Sequence, residues 1–379
     1  MRIFVDENIP MGREAFAAHG EVTLFAGRSL KRADLSTANA LLVRSVTHVD
    51  AGLLEGTPVR FVGTATIGTD HVDQAWLAAQ GIGFASAPGC NANSVGEYLA
   101  SALTWLTAEK AFALEGKTLG IIGWGHVGKR VEAKAAALGL KVLRNDPPLE
   151  QAGSAPGVAF ASLERLLDEC DILSLHVPLI KAGPHPTLKL AGPDFFARLK
   201  RPIALCNTCR GEVIDEPSLR EAQAAGRVRH LVLDVFAGEP RPDPALCALA
   251  DLVTPHIAGY SLPGKLNGTT QVAAAFRACF GFKDTWSPAY PHPSDANLAY
   301  VPIGDTPFLR RCIATVYDVA EDDARLRSAL READPGKGFD RLRREYPIRH
   351  EFSSYQVIRL PKEKRELRSR LQALGFRVG

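Results

Sequence analysis

Short apolar runs alternate with amphipathic, helix-like segments along the first quarter of the chain. Because this alternation is typical of strands joined by helical crossovers, it predicts a small α/β domain with a parallel sheet. Five runs have the length of strands, at residues 3–5, 22–25, 40–43, 61–62 and 83–85. Polar groups follow two of them: Arg44 and Ser45 after the third run, and the stretch 65–71, with Thr66, after the fourth. Ligands bind beyond the carboxyl ends of parallel strands, so these groups are candidate substrate contacts.

A second and larger α/β pattern begins at residue 94. Ser94 and Glu97 have the spacing of a capping box, and apolar residues then recur at helical spacing as far as Leu106. A strand, glycine turn, helix and second strand occupy 119–146, and further apolar runs follow at 172–177, 203–208, 231–236 and 252–257. Six strands with helical crossovers make a complete doubly wound dinucleotide-binding (Rossmann) domain.

The glycine turn has the spacing G-x-G-x-x-G, between a strand and a helix. Its first glycine allows the tight turn, its second lets the backbone approach a pyrophosphate, and its third lets the helix pack on the strand. Asp146, at the end of the second strand, is placed to accept hydrogen bonds from an adenosine ribose and to repel a 2′-phosphate. We therefore expect NAD rather than NADP, although Arg144 weakens the preference. The expected contacts here are Gly123, Gly125, His126, Val127, Gly128 and Asp146.

The chain after residue 257 is too short to form another domain of this size. A helix-like segment near 268–282 is expected to return to the first domain, and a region rich in Pro, Ser and Asp follows it. The tail has a helical stretch at 309–330, a strand-like run at 355–360 and a final helix at 364–374. We expect an α/β protein with a flavodoxin-like substrate domain (1–93 plus 258–285) and a Rossmann NAD domain (94–257). A linker and small α+β domain (286–379) would serve dimerisation, since so small an appendage buries little core by itself.

Composition excludes several classes of protein. The chain has 379 residues, 23% charged and 46% hydrophobic, with a net charge of +3, as in ordinary soluble proteins. No basic run is dense enough to indicate nucleic acid, and no apolar run approaches the roughly 18 residues of a membrane span. The first residues lack the apolar core of a secretion signal, so we expect a cytoplasmic protein. The seven cysteines do not indicate a disulfide framework, and we expect no metal.

Three polar residues follow consecutive predicted strands: Arg210, Glu239 and His256. Oxidation of a hydroxy acid by NAD needs a cation for the carboxylate, a base for the hydroxyl proton and an acid that orients the base. Arg210 fits the first role, His256 the second and Glu239 the third. Each residue taken alone is more often structural than catalytic, but their shared position beside a dinucleotide fold favours an active site.

The segments GIIGWGHVG, LHVPL, NTCRGEVID, LDVFAGEP and TPHIAGY resemble the D-isomer-specific 2-hydroxyacid dehydrogenase family. In that family a substrate domain is interrupted by the NAD domain and completed by the chain after it. The resemblance implies that Arg210, Glu239 and His256 are catalytic. It further implies NAD contacts at Thr208, Asp234 and Gly259, and substrate contacts at Ser45, Thr66 and Tyr260.

The resemblance of the pocket motifs and of the tail to members of this family implies a small phosphorylated 2-hydroxyacid as substrate and a homodimer formed through the C-terminal domain. A substrate phosphate requires cations away from Arg210, and Arg44 and Lys265 are the candidates. For Arg44, a purely structural ion pair is an equally open interpretation. Two alternatives stay open. The chain could be another 2-hydroxyacid dehydrogenase, such as a phosphoglycerate or glyoxylate enzyme, or an NAD(H)-sensing corepressor that keeps the same fold.

Overall fold

Five parallel strands form the sheet of the first unit of the fold, Met1–Asn91 and Tyr260–Pro291. In the computed structural model, which describes residues 1–379, these strands have the order β2-β1-β3-β4-β5 of a flavodoxin-like sheet. They are β1 (Arg2–Asp6), β2 (Glu21–Phe25), β3 (Ala40–Val43), β4 (Phe61–Thr64) and β5 (Gly83–Ala85). The helices are α1 (Gly12–Phe16), α2 (Ala51–Leu54), α3 (Gln74–Ala79) and the long α11 (Leu262–Phe280).

Both faces of this sheet are buried, which explains why its strands read as continuous apolar runs. Ile3 and Val5 point into one core, which α11 completes with Val272 and Phe276. Phe4, between them, belongs to the core on the opposite face. The segment after Gly259 therefore returns to the first sheet.

Six parallel strands form the sheet of the second unit, Ala92–Gly259 and His292–Gly379. The long α4 (Ala92–Glu109) precedes β6 (Thr118–Ile122), α5 (His126–Ala137) and β7 (Lys141–Asn145). The remaining strands are β8 (Ile172–Leu175), β9 (Ile203–Asn207), β10 (Val228–Leu233) and β11 (Leu252–Val253). The connecting helices are α6 (Pro147–Gln151), α7 (Leu163–Glu169), α8 (Pro193–Ala197), α9 (Glu216–Ala224) and α10 (Pro244–Leu249).

The strand order β11-β10-β9-β8-β6-β7 reverses direction at β6, which pairs with both β7 and β8. Nucleotides bind in the crevice beyond the carboxyl ends of the strands at such a switch point. The glycine turn follows β6, so the expected nucleotide motif lies at this point. The predicted Rossmann sheet is confirmed.

The C-terminal residues of the second unit add a small parallel sheet, β12-β13-β14, and four helices. The strands are β12 (Asn297–Ala299), β13 (Gln356–Ile358) and β14 (Arg377–Val378), and the helices are α12 (Asp305–Val316), α13 (Val319–Ala329), α14 (Pro335–Arg344) and α15 (Arg365–Leu374). Helix α13 packs against α4 and β11, and α15 packs against α5. This C-terminal segment is therefore in direct contact with the nucleotide-binding layers.

The structure differs from the sequence predictions in three elements that bear on the site. The helix expected at 268–282 begins at Leu262 and ends at Phe280, so it includes Lys265. The single helix expected at 309–330 is two helices: the first ends at Val316, and Asp318 caps the second by accepting a hydrogen bond from the Ala320 amide. The last strand of the large sheet stops at Val253, and the apolar residues after it form a loop.

The three-domain division stays a prediction. The two units divide at Asn91/Ala92, Gly259/Tyr260 and Pro291/His292. None of the helices has both the length and the apolar character that crossing a bilayer requires.

Candidate active site

The glycine turn after β6 is shaped so that only glycine fits at two of its three positions. Gly123 has φ +93, and a Cβ on it would lie 2.5 Å from the carbonyl oxygen of His176. A Cβ on Gly128 would lie 2.3 Å from the carbonyl oxygen of Gly123, so α5 approaches the turn closely. A Cβ on Gly125 would meet nothing within 4 Å. The amino end of α5 therefore faces an open cradle, which fits a pyrophosphate held by backbone amides.

His126 and Val127, in the first turn of α5, frame this cradle, and no side chain caps the helix at Gly125. His126 is exposed and Val127 is half-buried. The backbone amides of this turn are therefore the groups that a pyrophosphate would meet, and these two side chains lie beside them.

Asp146 connects the end of β7 to the glycine turn. One carboxylate oxygen accepts from the Trp124 amide at 2.8 Å, and the other accepts from the Leu149 amide at 3.1 Å and so caps α6. Arg144, which could favour a 2′-phosphate, is paired with Glu132, with its Nε 2.9 Å from Oε2. The charge of Arg144 is thereby neutralised, whereas the Asp146 carboxylate accepts only from backbone amides and keeps its negative charge uncompensated by a cation. This arrangement fits a ribose hydroxyl better than a phosphate.

His256 and Glu239 form a hydrogen-bonded pair, with imidazole Nδ1 2.8 Å from Oε2 of the carboxylate. The other oxygen of Glu239 accepts from the Phe236 amide at 3.1 Å, which fixes the carboxylate. Burial opposes ionisation of Glu239, but the charge of His256 and its hydrogen bond outweigh burial and lower the pKa of this carboxyl. Because Nδ1 donates to the carboxylate, Nε2 is the nitrogen left to exchange a proton with a substrate.

The loop that carries His256, residues 254–259, is called here the His256 loop. His256 has φ +57, the left-handed conformation that bulky residues rarely adopt. Asp234, which is 1% exposed, accepts from the Ile257 amide at 2.8 Å and the Ala258 amide at 2.9 Å. It also accepts from the Thr254 hydroxyl at 2.6 Å. Burial raises the pKa of Asp234 to about 6, against the opposing effects of His256 and these hydrogen bonds.

The resemblance to the family predicts that Asp234 contacts the cofactor. In the structure, both of its carboxylate oxygens accept hydrogen bonds from amides of the His256 loop. Its role toward NAD stays a prediction. Gly259 is the last residue of the same loop. Tyr98 extends the network, since its hydroxyl lies 2.7 Å from that of Thr254.

Arg210 and Thr208 follow β9, next to the strand that precedes Asp234. Asn207 donates to the Arg210 carbonyl at 2.9 Å and so shapes this turn. The Arg210 side chain is half-buried, and its Nη1 donates to the Cys209 carbonyl at 2.7 Å. The Thr208 hydroxyl lies 3.3 Å from Nδ1 of His176. Arg210, Glu239 and His256 therefore follow three strands, β9, β10 and β11, that are neighbours in the sheet.

In the first unit, the structure brings three of the predicted substrate residues together. The Arg44 guanidinium carbon lies 5.2 Å from the centre of the Tyr260 ring, and Lys265 Nζ lies 4.4 Å from it. Arg44 also donates to the Asn8 carbonyl at 2.9 Å, so a backbone contact, not an acidic partner, orients it. Two cations beside one aromatic ring can attract a phosphate.

The other two substrate candidates lie at the ends of β3 and β4. Ser45 is exposed in the turn after β3. The Thr66 hydroxyl is 2.8 Å from the Thr64 hydroxyl and donates to the Gly68 carbonyl at 2.9 Å. Nε2 of His71 lies 2.9 Å from the Thr64 hydroxyl, which completes a polar chain at this strand end.

One further residue lies beside the site, and its contact with the His256 loop was not predicted from the sequence. Arg349, far along the chain, donates to the Ala258 carbonyl in the His256 loop at 2.6 Å. The C-terminal segment contains many arginines, and nothing in the sequence distinguishes this one as a contact of the His256 loop.

Comparisons with known proteins agree with this geometry. Residues 96–258 match the family model described as D-isomer specific 2-hydroxyacid dehydrogenase, NAD binding domain, and residues 293–375 match a domain of unknown function. The chain is 46% identical over 363 residues to proteins named erythronate-4-phosphate dehydrogenase from Shigella dysenteriae and Escherichia coli, which covers 94% of each chain.

Solved structures are similar over the same core. A D-lactate dehydrogenase from Aquifex aeolicus, solved with NAD and lactic acid, is 25% identical with a TM-score of 0.61 over 74% of this chain and 96% of its own. An NAD⁺-bound 3-phosphoglycerate dehydrogenase from Entamoeba histolytica is 27% identical with a TM-score of 0.60 over 74% of this chain and 94% of its own.

Proposed function

The chain belongs to the D-isomer specific 2-hydroxyacid dehydrogenase family, among its erythronate-4-phosphate dehydrogenases, and from this we propose that it oxidises 4-phospho-D-erythronate with NAD. The product would be (R)-3-hydroxy-2-oxo-4-phosphobutanoate, in the biosynthesis of pyridoxal 5′-phosphate. The observation that most supports the substrate is the 46% identity to relatives of that name along 94% of the chain. The residues that would carry the chemistry are proposals made from the geometry above.

Bound NAD would supply the acceptor for the hydride that leaves C2 of the substrate. The glycine cradle of Gly123, Gly125 and Gly128 fits its pyrophosphate, and Asp146 fits its adenosine ribose. His126 and Val127 begin the helix beside that cradle. Thr208, Asp234 and Gly259 are the further proposed contacts, at the ends of β9 and β10 and in the His256 loop.

His256 would take the C2 hydroxyl proton through Nε2, since Glu239 holds Nδ1 as a donor. Glu239 stabilises the charged imidazole that results, because its carboxylate is ionised and fixed by the Phe236 amide. Arg210 would bind the substrate carboxylate and C2 oxygen in two-pronged fashion, which orients C2 for hydride transfer. In the reverse direction the same groups would donate the proton and polarise the carbonyl.

The substrate phosphate would be bound by Arg44 and Lys265, beside Tyr260, with Ser45 and Thr66 as hydroxyl contacts. The close approach of both cations to one ring supports this assignment. Arg44→Met and Lys265→Met should each raise KM for the phosphorylated acid by about tenfold or more, since charge-assisted contacts are the strong ones. Lys283→Met, which removes an exposed cation of the same unit, is the control and should change nothing. A KM unaffected by both substitutions would remove the two cations from the site.

A substrate panel tests the proposed function as a whole. Purified protein with NAD, and a 2-oxo acid to recycle NADH, should be compared on 4-phosphoerythronate, 3-phosphoglycerate, glycerate and lactate. We expect kcat/KM to favour 4-phosphoerythronate by at least about tenfold, or roughly 1.4 kcal/mol in the transition state. If another acid is preferred, the chain would still be a 2-hydroxyacid dehydrogenase, but 4-phosphoerythronate would be refuted as its substrate. No turnover of any acid would favour an NAD(H) sensor.

We also propose that the protein is a cytoplasmic homodimer, joined through its C-terminal segment. In that segment Ile303 is 49% exposed and Ile348 is 69% exposed, which is unusual for large apolar side chains. Light scattering should give twice the chain mass of 40.9 kDa, and Ile348→Glu should shift the protein toward monomer. A monomeric wild-type protein at micromolar concentration would refute the dimer.

A further inference from the structure

The C-terminal segment reaches the His256 loop through one buried side chain, that of Arg349. Its Nη2 donates to the Ala258 carbonyl at 2.6 Å, and its Nη1 lies 3.5 Å from the Ile257 carbonyl. Ser94, at the start of α4, adds a donor to the same Ala258 carbonyl at 2.9 Å. The two residues that directly follow His256 are therefore held by a group from a distant part of the chain.

Arg349 and Asp234 both hold the backbone of the same two residues, Ile257 and Ala258. Asp234 accepts from the amides of Ile257 and Ala258, and Arg349 donates to their carbonyls. These contacts fix the backbone immediately after His256, whose φ of +57 is sparsely populated for a bulky residue. Such a conformation persists only where the surroundings determine it from several directions.

The guanidinium is itself held firmly enough to act as an anchor. Arg349 is 6% exposed, donates to the Ser94 carbonyl at 3.2 Å, and lies 4.3 Å from the centre of the Tyr317 ring. Burial opposes its charge, but nearby Tyr346, Tyr317 and Asp322 outweigh burial and keep its pKa above the usual value. Asp322 is tied to this cluster by the Tyr317 hydroxyl at 3.0 Å and the Tyr346 hydroxyl at 2.7 Å.

We propose that Arg349 is a positioning residue for the dehydrogenase reaction: it holds the His256 loop so that the imidazole stays aligned for proton transfer. The C-terminal segment then contributes to the chemistry within its own subunit, in addition to any role in dimerisation. The inference rests on the proposed function, because Arg349 acts only through His256.

Substitutions at two comparable arginines distinguish a role in positioning His256 from a general contribution to stability. Arg327, in the same segment, also donates to backbone carbonyls, those of Cys247 in α10 at 2.9 Å and of Ala250, directly after α10, at 2.8 Å. These contacts precede β11, at the opposite end of the strand from His256. Arg349→Met and Arg327→Met should therefore both lower the melting temperature, while only the first should disturb the His256 loop.

The experiment measures kcat, NAD affinity and the primary deuterium isotope effect on kcat, with substrate deuterated at C2. For Arg349→Met we expect kcat to fall by about 10- to 100-fold, since small misplacements of a catalytic group cost this much. The isotope effect should rise as the chemical step becomes limiting, and NAD affinity should stay within about twofold. Arg349→Lys, which keeps a donor and the charge, should recover part of the rate. Arg327→Met should keep the wild-type kcat and isotope effect.

Wild-type kcat and isotope effect in folded Arg349→Met would overturn the inference, as would equal losses in the two methionine variants. A crystal structure of Arg349→Met, or of Arg349→Leu if the former does not fold, provides a readout independent of turnover. We expect His256 to leave its left-handed conformation, and an unchanged loop would overturn the inference. Absence of turnover in the wild-type protein refutes the proposed function instead, and the loop structure still decides the role of Arg349.

Discussion

Replacing Glu239 with glutamine should disable His256 without removing it. The carboxylate accepts two hydrogen bonds, from His256 Nδ1 at 2.8 Å and from the Phe236 amide at 3.1 Å. A glutamine has one acceptor and one donor in the same place, so it can satisfy only one of these groups. If its oxygen faces Phe236, its amide nitrogen faces Nδ1, which selects the tautomer with the proton on Nε2. That imidazole cannot accept the proton of a substrate hydroxyl.

The expected loss of activity can be worked out from the contacts that are lost when His256 keeps the tautomer with the proton on Nδ1, which is the one that can accept the substrate proton. Turning the glutamine oxygen toward His256 leaves the Phe236 amide without an acceptor, which costs about 1–3 kcal/mol. Loss of the carboxylate charge removes roughly another 1 kcal/mol, the difference between a charge-assisted and a neutral hydrogen bond. The sum, about 2–4 kcal/mol, corresponds to a fall in kcat of roughly 30- to 1,000-fold.

The assay is the initial rate of NADH formation from 4-phosphoerythronate, with NAD affinity measured in parallel. Glu216→Gln is the control, because that carboxylate accepts from the Ala237 amide at 3.2 Å in the same turn and has no histidine partner. We expect Glu239→Gln to lose turnover and keep NAD affinity, and Glu216→Gln to be nearly normal. A kcat for Glu239→Gln within about threefold of wild type, less than 1 kcal/mol, would refute the orienting role of Glu239.

Three further predictions follow from the same structure. His256→Ala should lower kcat by about 10² or more with NAD binding retained, and equal loss of NAD binding would argue against a role as base. Asp146→Ala should raise kcat/KM with NADP relative to NAD, and an unchanged ratio would remove Asp146 from ribose recognition. Burial and repulsion by Glu351 raise the pKa of Glu97 to about 8, so its contribution to stability is complete below its ordinary value of 4.5 and is lost as pH rises toward 8. Between pH 5 and 8 the melting temperature should therefore fall less in Glu97→Gln than in wild type, and equal slopes would contradict the raised pKa.

Much of the fold could be predicted because its signals are local. Each strand of the two large sheets is a short apolar run, and the glycine spacing after β6 directly reflects backbone contacts such as that of Gly128 with the Gly123 carbonyl. The positions of Arg210, Glu239 and His256 followed from a topological rule, since parallel strands direct their carboxyl ends to one edge of the sheet. These predictions needed no knowledge of tertiary contacts.

The remaining features depend on contacts between distant parts of the chain. Arg349 and Ser94 are 255 positions apart, and no periodicity relates them. The left-handed φ of His256 could not be predicted, because nothing local in the sequence requires it and the residues that hold the following backbone, Asp234 and Arg349, are distant along the chain. The break between α12 and α13 depends on Asp318, whose capping role competes with an otherwise continuous helical pattern.

Transfer of the C2 hydrogen to NAD is the step on which the proposed mechanism depends, and isotopic labelling measures it directly. The protein should be incubated with NAD and 4-phospho-D-erythronate that carries deuterium at C2, and the nucleotide product analysed by mass spectrometry. We expect one deuterium in each NADH formed, in equal amount with the 2-oxo acid. NADH without deuterium, or an oxo acid formed without NADH, would contradict hydride transfer from C2 and the dehydrogenase function proposed for this chain.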